Sequence, residues 1–451
     1  MNRWLAALGS VAIVATAVTV GSLVAPAVVP QDEVAKVATR TTMLCPAFES
    51  ATATRTVAAA STVAQLRLTT LSSQENPRSG EGLVTVTGPT EPIRVSAERS
   101  GASGASTVVA ASAGSDRGLS VARCLLPQPE YWFTGVEVSD ASGSEIDLIN
   151  LDGTRAVVDL TAYGPSGRLA ASRGLVVDPN SEKKVSLALI QRGDEPISLR
   201  VTSSEGRVAA FLRQRAWGAA RPLGADWLSA SVDPATDLIV PGVPDGAGRR
   251  TLVIGNPGDR TAMVKVDVLG DSGPSNVVGA DTVEVLAGTS RAVDLAAGLG
   301  GAVAGVQLTS DQPVTAGLLA DSGGSEDEID PAGVGASPAL PADSIWPMGL
   351  ARSATAVVAF TNPDLAGVTA IVSTGGAETT VRIPARSTAT YTVPKSAGYS
   401  IRIKTESSSL RAAVVARQSL GTVKGLAVMA LVQGQSRTES VQVGFDPHLG
   451  S

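Results

Sequence analysis

The densest run of chemically capable residues is Glu326-Asp-Glu328-Ile-Asp330, with Asp321 shortly before it. A calcium ion takes about six to eight hard oxygens from a tight loop, and Asp321, Glu326, Glu328 and Asp330 supply the right ligand type. They lack a D-x-D-x-D-G order, and Gly323-Gly324 before them and Pro331 after them read as a solvated linker. No metal site is assigned. Glycoside hydrolysis needs two carboxyls about 5 to 10 Å apart; among 42 acidic residues many pairs are available, and spacing along the chain selects none.

Trp132 with Phe133, Trp217, Trp227 and Trp346 could stack on sugar rings. Two of them open repeated segments, where an aromatic ordinarily plugs the end of a β-sandwich, so the reading is core. The one histidine, His448, lies three residues from the C-terminus, which leaves no folded site for Ser-His or Cys-His catalysis. No phosphate-cradling glycine loop, C-x-x-C pair or G-x-S-x-G elbow occurs. The expectation is no catalytic residue, no cofactor-binding residue, no cofactor and no enzyme. A net charge of −6 without a basic cluster argues against nucleic acid.

Any such residues must be positioned by a repeated module. Trp132-Phe-Thr-Gly135 returns as Ile239-Val-Pro-Gly242 and Trp346-Pro-Met-Gly349, a step of 107 each time. Each phrase precedes an apolar run that ends in asparagine: Asn150, Asn256 and Asn362, spaced by 106. Asn150-Leu-Asp-Gly153, Asn256-Pro-Gly-Asp259 and Asn362-Pro-Asp364 then read as turns, because an Asn side chain bonds the backbone two residues on. Alternation follows, as in Val264-Lys-Val266-Asp-Val268; in Ile146-Asp-Leu148-Ile149 the last residue departs from it. That period is a half-buried antiparallel strand.

With 43% hydrophobic but only 3% aromatic residues, 47 Gly and 26 Pro, the composition is that of β-sandwiches. The expected fold is all-β, tandem immunoglobulin-like or fibronectin-like sandwich modules, with a β-propeller as the alternative. The modules are assigned to residues 130–220, 236–322 and 343–435, with Gly- and Pro-rich linkers at 218–234 and 321–343 and a polar tail at 436–451. Residues 41–127 form an N-terminal β module, a divergent copy or a separate cap, bracketed by Cys45 and Cys124. These are the chain's two cysteines, and in an oxidising compartment they read as a disulfide.

Trp4 to Ala25 is 22 residues without a charge, about 33 Å as a helix, enough to cross a bilayer. Arg3 before it and Asp32 and Glu33 after it leave the body outside the cytoplasm. Residues 1–30 are read as a signal anchor and 31–40 as a spacer; the alternative is secretion after cleavage near Ala27, where Ala25-Pro-Ala27 resembles a cleavage site.

With its W-x-x-G phrases, its Asn-Pro turns and a leader ahead of Cys45-Pro46, the chain resembles a family of uncharacterised actinobacterial envelope proteins. In that family one N-terminal hydrophobic segment precedes repeated extracytoplasmic β modules. The resemblance implies architecture and address, and no activity. The functional expectation is a single-pass envelope protein that binds or scaffolds, with an envelope protein or glycan as partner, accessory to glycan assembly. A carbohydrate-active enzyme with carboxylates at a module interface is the alternative.

Overall fold

The computed structural model describes residues 40–48, 53–73, 77–98, 102–169, 172–189, 193–277, 281–395 and 400–432. The leader, the spacer up to residue 39 and the tail with His448 lie outside them, as do the anchor and cleavage expectations. Among the described residues no helix is long and apolar enough to cross a membrane. The helical turns described are Leu187–Leu189 and Ala296–Gly298, and the remaining regular structure is antiparallel strand.

The fourth module shows the plan most plainly. Its eight strands are Asp343–Pro347, Thr355–Asn362, Val368–Thr374, Ala377–Ile383, Ser387–Thr392, Ser400–Thr405, Arg411–Leu420 and Val423–Ala430. One sheet runs first-sixth-third-fourth and the other fifth-second-seventh-eighth. Each sheet draws strands from both halves of the module, so the closed unit is a sandwich. Val358, Phe360, Val372, Ile401 and Ile403 fill the space between the sheets. The same order recurs in the second module, whose fourth strand is split into Gly167–Arg168 and Ser172–Val177. It recurs in the third, where sixth and seventh strands fuse into Ala304–Asp321, which passes from one sheet to the other.

The N-terminal unit has this order too, from Arg40–Cys45 to Gly118–Arg123, so it is a copy of the module. The disulfide Cys45–Cys124 joins the end of its first strand to the residue after its eighth. Residues 218–234 and 321–343 differ from the linker reading: they carry the eighth strands of the second and third modules, Pro222–Leu228 and Pro331–Gly335.

Those eighth strands organise the whole. Gly118–Arg123 packs on Pro222–Leu228, which packs on Pro331–Gly335, which packs on Val423–Ala430, which returns to Gly118–Arg123. Four modules thus close into a ring. Around it, the first strand of one module lies on the seventh-strand sheet of the next. Glu130–Val138 meets Ala304–Asp321, Ala235–Val243 meets Arg411–Leu420, and Asp343–Pro347 meets Ser103–Ala111.

The repeated glycine sits at these junctions. Gly135, Gly242 and Gly349 have φ of +103°, +76° and +56°, which favours glycine. A Cβ on them would lie 3.3 Å from Leu319, 2.6 Å from Ala413 and 3.3 Å from Val108, each a seventh-strand residue of the next module. Small polar residues complete the contact: Thr134 and Thr315 share a hydroxyl bond of 2.9 Å, and Ser290 donates to Ser198 at 2.8 Å. Strands buried on both faces read as continuous apolar runs. Ile149, which breaks the alternation of its strand, is accordingly fully buried.

The recurring asparagine is a turn former at all three positions. Asn256 Nδ2 donates to the carbonyls of Arg260 and Val285 at 2.7 and 3.0 Å, and its Oδ1 accepts from Gly258 N at 3.0 Å. Asn150 and Asn362 repeat the pattern. All three are fully buried. Substituting Asn256→Ala leaves two carbonyls and one N–H without their partner, so a urea melt should show a loss of about 3 kcal/mol. Replacing both Cys45 and Cys124 with serine frees a loop of 79 residues. Differential scanning calorimetry should then show the loss of about 4 kcal/mol on the chain-entropy account, and an unchanged melt would contradict it.

Candidate functional site

Between the second and third modules lies a groove of about 370 Å³, within the size range of small-ligand sites. The second module supplies Glu137 from its first strand, Ser139 and Ser142 from the following hairpin, Asp194, Trp217 and Leu223. The third supplies Arg249, Asp321, Ile329 and Pro331. Trp217 ends the strand Ala209–Trp217, its N–H donating to Ala141 O at 2.8 Å. Its ring rests on Gly143, where a Cβ would approach to 3.0 Å. The indole is 36% exposed.

The polar groups are already ordered. Arg249 grips Glu137 with two bonds, 2.6 and 3.1 Å long, which fixes both planar side chains and holds the Arg249 guanidinium above its usual range against the opposing pull of burial. Asp321 Oδ1 accepts the backbone N–H groups of Arg249 and Gly323 at 3.1 and 2.9 Å. Asp194 is exposed. An indole face beside a planar Arg-Glu pair and hydroxyls suits a pyranose: its C–H face stacks on the ring while its hydroxyls donate to carboxylates and accept from the guanidinium. Acid-base hydrolysis is less well served, since Glu137 and Asp321 are bound to other groups. The carboxyls that burial drives upward are Asp147, to about 8 and with a further push from Glu182, and Asp226 and Asp330, both far above the usual range. None of these three lines the groove.

The acidic run 326–330 is not the solvated linker its composition suggests. Glu326 Oε1 accepts from Ala219 N at 3.1 Å, Asp327 pairs with Arg221, Glu328 with Lys424 at 3.0 Å, and Asp330 is fully buried. The segment folds onto neighbouring modules, and each acid finds a separate partner there. Among the described residues no group of three or more His, Cys, Asp or Glu is placed to hold a metal.

Trp132, Trp227, Trp346 and Phe133 are core, each no more than 3% exposed. Trp132 Nε1 donates to Glu130 at 2.8 Å while Arg200 lies over its ring at 5.4 Å. Trp217 departs from the core reading. It continues the strand face of Arg213 and Arg215, and an indole on a charged row was the available signal. Its groove partners were hidden because they come from a hairpin, an assumed linker and another module.

A family of unknown function, DUF5719, matches residues 88–395. The chain belongs to this family. The DUF5719 match runs from the first module into the fourth and contains every residue of the groove. No curated protein and no solved structure matches the chain.

Proposed function

We propose that this chain is a membrane-tethered, extracytoplasmic envelope protein that works by binding. In this reading the ring is a rigid scaffold, and the Trp217 groove takes a neutral oligosaccharide segment during envelope glycan assembly. The observation that carries it is an exposed indole at a module junction, next to polar groups held in place before any ligand arrives. Such ordering lowers the cost of binding, and scattered exposed apolar residues elsewhere, such as Leu365 and Met263, form no comparable site. The address is supported by the uncharged run from Trp4 to Ala25 and by the Cys45–Cys124 disulfide, a bond typical of oxidising compartments.

Isothermal titration of the full chain with a panel of neutral linear oligosaccharides tests this. Binding to one class is expected, and Trp217→Ala should weaken it by about thirtyfold, or ~2 kcal/mol. Unchanged affinity in the variant would remove the groove from the account. Shortening of the bound sugar on incubation would favour a carbohydrate-active enzyme.

A further inference from the structure

Two carboxyls from different modules are withdrawn from water at the ring axis. Asp226 lies on the eighth strand of the second module and Asp330 immediately before that of the third; they are 4% and 0% exposed. Asp330 Oδ2 accepts the N–H of Leu119 in the first module and of Leu426 in the fourth, both at 2.8 Å. Asp226 Oδ2 accepts Gly333 N of the third module at 2.8 Å. Between them the two side chains bond to the eighth strands of the first, third and fourth modules.

The site for Asp330 is built by glycine. Gly118, Gly224 and Asp330 are spaced by 106, and Gly425 stands before Leu426 as Gly118 stands before Leu119. Three modules thus carry glycine where the third carries an acid. A Cβ on Gly118 would come within 1.9 Å of Asp330 Oδ1, and one on Gly224 within 2.9 Å. That Oδ1 and the Oδ1 of Asp226 are both buried with no hydrogen-bond partner. A buried, unpaired carboxylate oxygen is costly, and a neutral carboxyl is much less so.

We propose that Asp330 and Asp226 form a proton-dependent lock, in which the four modules close around neutral carboxyls and part when these ionise. Among the described residues no charged group forms an ion pair with either carboxyl. Arg117, in the turn before the first module's eighth strand, is the cation acting on Asp330, but its own donors go to the carbonyls of Leu223, Glu326 and Ile329. Lys424 on the fourth module's strand is taken by Glu328, and Arg221 by Asp327. Beside Asp226, Arg213 and Arg215 both pair with Asp116, at 2.5 and 2.9 Å, and Gln214, its cross-strand partner, is neutral. The nearby Asp226 makes ionisation of Asp330 harder still.

The sign follows from linkage. Both carboxyls hold protons more tightly in the closed ring than in an open chain, where an aspartate titrates near ~4. Closure is therefore fully favoured below that range and weakens as pH rises toward the folded-state value, by up to roughly tenfold in the opening constant per pH unit and carboxyl. Hydrogen exchange of the full chain between pH 5 and 9, corrected for the intrinsic rate, reads this at the amides of Leu119, Leu426 and Gly333. Wild-type protection should fall steeply toward alkaline pH. Asp330→Asn, whose Oδ1 can accept the same two N–H groups, should flatten the slope at Leu119 and Leu426. Asp330→Gly, which installs the residue of the other modules, should raise opening at pH 5 with a flattened slope. Asp226→Asn should flatten the slope at Gly333. A wild-type slope retained in the three variants, or absent from the wild type, would overturn the lock.

Discussion

A sandwich hides one face of each sheet and leaves the other to water, and the outer faces are what hold this molecule together. Two sheets whose facing residues are large stand about 10 Å apart. At the junctions here many of the facing residues are Gly, Ala, Ser and Thr, so the backbones come closer: a Cβ on Gly317 would sit 2.0 Å from Thr134 O, and one on Gly104 2.4 Å from Ile345 O. Such surfaces leave no room for water between them: Thr134, Thr315 and Ser198 are fully buried, the first two bonded to each other and Ser198 accepting from Ser290. The result is two kinds of interior. Within modules Leu, Val, Ile and Phe fill a wide gap, and between modules small residues bring the backbones close at points such as Gly317 and Gly104, beside larger ones such as Leu319 and Val108.

This division accounts for what could be read from the residues and what could not. The strand period, the asparagine turns and the step of 107 are local or strictly repetitive, and they led to sandwich modules. The reason for the repeated glycine was not local. Gly135, Gly242 and Gly349 look like turn residues in sequence, and their second role depends on a neighbour about 170 to 240 residues away. The first module escaped alignment because it solves the same turn differently. Ser61 ends its second strand where the others have asparagine, and its hydroxyl accepts from Ala64 N at 2.9 Å. One oxygen does part of the work of an amide, and no asparagine remains to be matched.

The eighth strands were hidden for a related reason. Pro222–Leu228 and Pro331–Gly335 are short, rich in Gly and Pro, and stabilised by strands of other modules as much as by their own. Composition measures what a segment does alone. The acid run behaves likewise: Asp330, fully buried, differs from exposed Asp327 only in which module stands opposite. Cysteine pairing was legible because two thiols admit one partner each.

Ring closure also governs what kind of function the molecule can support. A tandem array linked by flexible segments would let each module turn, and a groove between two modules would have no fixed width. Here the second and third modules are bound on either side of the groove: below by their eighth strands, and across it by Arg249 on Glu137. Moving one module requires breaking contacts with two neighbours. Trp217 and the polar groups opposite it are therefore held at constant separation, which favours a ligand of fixed shape over one that must be enclosed. A cyclic sugar segment meets that condition better than an extended, many-rotamer chain, because less of its freedom is lost on binding.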